Sequence, residues 1–119
     1  MNSDFERFET DVMKKIIVED SSIAEILKRQ YKSAKVIERK FTGVGFFTDF
    51  EIADKSLRLP NSPNFELGIT QAAFGDLERG VGFVLFIRNG LIDFLEGYTY
   101  DEAWPEKITT YTLIDPNSD

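Results

Sequence analysis

The sequence contains neither cysteine nor histidine. Without cysteine there is no disulfide framework, so nothing in the chain requires an oxidising compartment. The two absences together remove thiol nucleophiles, Cys/His zinc sites and Ser-His-Asp triads. Metal binding would fall to carboxylates and carbonyls, which suit Mg²⁺ or Ca²⁺, and no EF-hand loop is there to organise them. The phosphate loops GxxxxGK[ST] and GxGxxG are missing too. No cofactor and no enzymatic activity are expected. Apolar runs stay well short of the roughly 20 residues of a membrane span. Residues 1–20 carry Asp4, Glu6, Glu9 and Asp11 and lack the apolar core of a secretory signal. The expectation is a soluble, cytoplasmic protein.

Basic residues are scarce in one half of the chain. Residues 1–59 carry eleven acids and eleven bases, whereas residues 60–119 carry ten acids and three bases, so the whole net charge of -7 falls in the second half. Nucleic-acid binding needs a basic patch, and this distribution argues against it. It favours steering toward a basic protein. The only positive cluster is KVIERK (35–40) with Lys28, Arg29 and Lys32. That group could touch a phosphate, or simply solvate a helix end.

What is abundant is phenylalanine, eleven in 119 residues, enough to build a core around aromatic rings in one domain spanning 1–119. Phe5, Phe8, Val12 and Ile16 recur at helical spacing and predict a helix over about 4–17. SIAE (22–25) has the pattern of a capping box and opens a second helix over about 22–33, with Ile23, Ile26, Leu27 and Tyr31 as its apolar stripe. The period then changes to two. Strands are predicted over about 36–42, 44–53, 65–74, 81–88, 91–98 and 108–114. Val44, Phe46, Thr48, Phe50 and Ile52 would share one face, and Phe65, Leu67 and Ile69 would point inward. The fold class is α+β, with two N-terminal helices packed on one face of a mostly antiparallel sheet of five or six strands.

The strongest local signal is VGFVLFIRNGLIDFLEGY (81–98), two apolar runs around Asn89-Gly90, a type I′ hairpin. A simple hairpin register sets Arg88 opposite Leu91, Ile87 opposite Ile92, Phe86 opposite Asp93, Leu85 opposite Phe94, Val84 opposite Leu95 and Phe83 opposite Glu96. One face then collects Val81, Phe83, Leu85, Ile87, Ile92, Phe94 and Tyr98, with Glu96 out of place among them. The other collects Val84, Phe86, Leu91 and Leu95, with Arg88 and Asp93. Apolar on both faces, Phe83–Ile87 reads as a central strand.

Past this hairpin, acids alternate with aromatics. Glu96, Tyr98, Tyr100, Asp101, Glu102 and Trp104 form a candidate partner-binding group, since Trp and Tyr bury much area with few torsions to freeze and acids steer toward a basic partner. The plainer reading packs Tyr98 and Trp104 in the core. A second candidate is a ligand pocket between helices and sheet, lined by Phe46, Phe50, Phe83 and Phe94 with Glu96 as polar anchor. The carboxylate pairs Asp93/Glu96 and Asp49/Glu51 could in principle do acid-base work, but acids are common enough here for pairs to arise by chance. An edge strand such as ITTYTLI (108–114) could pair two copies into a homodimer.

The stretch GVGFVLFIRNGLIDFLEGYTYDEAWPEKI, residues 80–108, resembles a group of small acidic bacterial proteins of uncharacterised function, some of them toxin-immunity-like. The resemblance implies a bacterial source and an immunity-type role, the neutralising of a basic toxin. It carries over no catalytic residues.

Overall fold

The computed structural model describes residues 3–75, 77–105 and 108–115. Helix α1, Ser3–Ile17, forms where the helical apolar period predicts it. Phe5, Phe8, Val12, Ile16 and Ile17 are all buried. Its first turn holds Asp4 and Glu6 and its last Lys14 and Lys15, both favourable to the helix dipole. Helix α2, Ala24–Lys32, starts two residues after Ser22, the predicted cap, and its N-cap Ile23 offers no side-chain bond. Ser22 is turned to Asp20, donating to Oδ1 through its backbone N at 3.0 Å and its hydroxyl at 2.6 Å. A local side chain-to-backbone turn has won over the cap.

Seven strands follow: β1 Lys35–Phe41, β2 Gly45–Glu51, β3 Phe65–Leu67, β4 Gln71–Ala73, β5 Val81–Arg88, β6 Leu91–Thr99 and β7 Thr112–Ile114. They form one sheet in the order β1-β2-β6-β5-β4-β7, with β3 also paired to β5, and every pairing is antiparallel. This is the expected α+β fold. The extra strand arises because the predicted strand 65–74 is interrupted. Glu19 accepts from the backbone N of Gly68, Ile69 and Thr70 at 2.9, 3.1 and 2.9 Å. Those donors leave the ladder, and Ile69 points outward, 40% exposed, rather than inward. Val44 also departs from its predicted face. It lies before β2, is exposed, and gives its carbonyl to Thr99 N.

The β5–β6 turn is as predicted, with positive φ at Asn89 (54°) and Gly90 (75°). The register is not. Ile87 faces Ile92, but the next pair is Phe86–Phe94, so Asp93 is an extra residue on β6. Beyond this bulge Leu85 faces Leu95, Val84 faces Glu96 and Phe83 faces Gly97. One inserted residue exchanges the faces of everything that follows. Leu95 enters the core, fully buried. Phe94, Glu96 and Tyr98 move to the opposite face.

Both helices pack on one face. Phe5 meets Phe46, Phe8 meets Phe83, and Tyr31 meets Phe50, at ring separations of 4.9, 5.8 and 6.0 Å. Gln30, fully buried, ties α2 to the hairpin. Its Nε2 donates to the carbonyls of Leu57 and Gly90, both at 2.9 Å, and its Oε1 accepts from Ile92 N at 2.8 Å. No described helix is long and apolar enough to cross a membrane.

Candidate functional site

Alternation along β2, β6 and β5 sends one set of side chains to the helices and the other to the opposite face. Among the described residues no helix covers that second face. Phe47 and Asp49 from β2, Phe94, Glu96 and Tyr98 from β6, and Val84 and Phe86 from β5 all lie there half-buried. The rings are organised. Phe86 and Phe94, cross-strand partners, stack at 4.2 Å with 17° between planes, and Phe47 lies 6.3 Å from Phe94. Arg88 lays its guanidinium 5.5 and 5.9 Å from the stacked rings, a cation–π contact with each.

Glu96 lies at the middle of this face. Phe47 and Val84 are its partners on the neighbouring strands, and Phe94 and Tyr98 flank it two residues away on its own. It makes no hydrogen bond or ion pair with any described residue, and no buried side-chain oxygen there lacks a partner, so its carboxylate meets solvent within an apolar collar. Asp49 and Glu66 on the same face have no ion pair among the described residues either. Glu38 and Lys40, opposite Asp49 and Phe47, sit 3.9 Å apart.

A tyrosine pair closes one end. Tyr98 and Tyr100 meet edge to face at 5.5 Å over Gly82. A Cβ at Gly82 would fall 2.6 Å from the Tyr98 hydroxyl and 2.8 Å from that of Tyr100, so glycine there makes room for both rings. Burial pushes the Tyr98 phenol above its ordinary value, and the bond with Tyr100 and the charge of Glu96 act in the same direction.

The six residues predicted as a partner-binding group therefore divide. Glu96, Tyr98 and Tyr100 come together on the open face. Asp101 is exposed at the turn that follows, with φ 64°. Glu102 braces a loop, accepting from Glu78 N and Arg79 N at 3.2 Å each. Trp104 joins the core, its ring 5.2 Å from Phe46 and 6.3 Å from Phe8. The plainer reading thus holds for Trp104 and fails for Tyr98.

The Phe-lined pocket does not assemble. Phe46, Phe50 and Phe83 are buried in the filled layer under the helices, whereas Phe94 and Glu96 stand on the other side of the sheet. The Asp93 bulge separates them. Asp93 and Glu96 are likewise no pair on one flat strand, and no described cluster of acids could hold a metal ion. Sequence reasoning set Asp49 on the polar side of its strand and missed Phe47 as its neighbour on the open face. The signal was present in the polar-side alternation of β2 and in the two-sided apolar character of Phe83–Ile87, which was read only as the mark of a central strand. No protein-family model, curated protein or solved structure matches the chain.

Proposed function

We propose that this protein is a non-enzymatic binding module of immunity type, acting in a bacterial cytoplasm, that covers a basic toxin with the open face of its sheet. One observation carries the reading: a solvent-facing carboxylate, Glu96, framed by Phe47, Val84, Phe94 and Tyr98. A lysine or arginine entering that collar meets the carboxylate with its head and covers the rings with its apolar stem, so removing either partner of the pair costs binding. The Phe86–Phe94 stack and the tyrosine pair supply pre-ordered area around it. Asp49 and Glu66 add steering toward positive charge. Such a protein works by occlusion, blocking for example the cationic cleft of a nuclease. It needs no cofactor and no catalytic group.

The test compares immobilised wild-type protein with Glu96→Lys and with Phe47→Ser plus Phe94→Ser. The reading expects a basic protein retained at low salt, released at high salt, and lost by both variants, with co-expression of wild type relieving that protein's toxicity. A captured protein that ignores both variants overturns the assignment of the face. Pairing of two copies through a sheet edge is a separate proposal. The predicted edge 108–114 contributes only Thr112–Ile114, at one end of the sheet. At the other end β1 is seven residues long, with Val36 and Ile37 exposed, and offers the longer edge.

A further inference from the structure

A hollow of about 770 Å³ lies on the helical side of the molecule, walled by α1, α2 and β1. That is within the range of small-molecule sites, about 300–1,000 Å³. Helix α1 runs antiparallel to β1, because Phe5 packs on Phe41 at one end and Glu9 meets Arg39 further along. The hollow is polarised along this axis. At one end stand two acids, Glu6 and Glu9, beside Arg39. Glu9 is buried and neutralised, with Arg39 donating to it from Nε at 3.1 Å and Nη2 at 2.7 Å and the Thr48 hydroxyl donating as well. Toward the other end Lys14, Lys28 and Lys32 line the rim. Lys28 has only a loose, exposed contact with Glu25 at 3.4 Å, worth little. Lys14 and Lys32 pair with no carboxylate among the described residues.

Lysines gathered at one hollow, two of them without a carboxylate partner among the described residues, are unexpected in a chain whose acids exceed its bases by seven. The walls between them are apolar. Ile17, Tyr31, Ala34, Val36 and Phe50 line the hollow, and Val18 and Val36 are 46% and 41% exposed. Of the basic group of α2 and β1, Lys28, Lys32 and Arg39 line this concave place, joined by Lys14 from α1.

We propose that this hollow binds a small amphipathic anion, its apolar body against Tyr31, Val36 and Phe50 and its anionic head held by Lys14, Lys28 and Lys32. The head group is a carboxylate or a phosphate, which share this chemistry. The site is independent of the open face and stands or falls apart from it.

The experiment is calorimetric titration of the full chain with decanoate, decyl phosphate and decyltrimethylammonium, each below its critical micelle concentration. Wild type binds one decyl anion, at least about tenfold more tightly than the cation. The tighter of the two anions names the head group. Lys14→Glu plus Lys32→Glu weakens anion binding by about tenfold or more, and Lys14→Arg plus Lys32→Arg restores it. Val36→Trp fills the hollow and abolishes binding, with circular dichroism confirming that the variant is folded. Phe47→Ser plus Phe94→Ser leaves binding unchanged. Equal affinity for anion and cation, indifference to the lysine reversal, or loss of binding in the Phe47/Phe94 variant would each overturn the proposal.

Discussion

Strands β2 and β5 carry phenylalanine on both of their faces and β6 on the open one, and the two sets live differently. Phe46, Phe50 and Phe83 face the helices at 0%, 6% and 0% exposure, each touching a ring from α1 or α2. Phe47, Phe86 and Phe94 face away, half-buried, with only one another, Arg88 and the neighbouring strands for company. The covered set has already released its water, so its energy belongs to folding. The open set still has water to release, and that energy is available to a partner. The acids divide in the same way. Glu9 and Glu19 on the covered side are saturated by Arg39, Thr48 and backbone donors, whereas Glu96 opposite is unpaired among the described residues.

Truncation should separate the two sets most sharply. Phe83→Ala, which opens a cavity beneath α1, should lower stability by about 3–5 kcal/mol. Phe94→Ala loses a half-exposed stack and should lower it by about 1 kcal/mol. Urea unfolding followed by circular dichroism reads both, and equal losses would mean that the open face is covered after all. Glycine substitution asks the same question by addition. A Cβ at Gly97 would lie 2.2 Å from Cε1 of fully buried Phe46, which has no room to move. One at Gly82 meets the outer ends of Tyr98 and Tyr100, which can swing into solvent. Gly97→Ala should therefore cost about 2–3 kcal/mol and Gly82→Ala about 1 kcal/mol, the latter with a changed near-ultraviolet tyrosine signal.

Alkaline pH provides a third contrast. Burial raises the phenols of Tyr31, on the helical side, and of Tyr98, on the open face. The folded protein then keeps protons that the unfolded chain gives up. Stability is intact below about pH 10 and falls as pH rises through the folded values. Urea midpoints taken across that range should decline less steeply in Tyr31→Phe than in wild type. Binding of a partner on the open face should shift the Tyr98 value and leave Tyr31 unmoved, which ultraviolet titration of the two Phe variants can assign. The smallest effect belongs to Asp101→Asn, which removes the charge and keeps a residue suited to the left-handed φ of 64°. This exposed residue takes no part in the Glu96 collar, so stability should change by less than about 0.5 kcal/mol and the salt sensitivity of partner binding only slightly.

Much of this architecture was legible from local rules, and the failures have identifiable causes. The apolar stripe of α1, the type I′ turn at Asn89-Gly90 and the two helices on one side of an antiparallel sheet all follow from period and turn chemistry. The misreadings occur where another group, distant or local, outcompetes the expected partner. Glu19 lies 49 residues from Gly68 and takes the donors that would have continued β3 into β4. The capping box at Ser22 fails because Asp20 is nearer. Trp104 reads as an interface anchor in sequence, but its backbone N donates to the Gly43 carbonyl at 2.8 Å and its ring closes the aromatic core.

What the sequence determined by itself is the class of the fold and the exclusions: periods of 3.6 and two specify helices and strands, and missing residue types remove whole chemistries. Only the tertiary structure decided which aromatic rings face water. For Phe94 and Tyr98 that choice turned on one residue, Asp93, bulged out of the β5–β6 ladder. Side chains in a strand alternate with a period of two, so a single extra residue exchanges two faces, and which of two apolar faces the helices cover depends on the packing of the whole molecule.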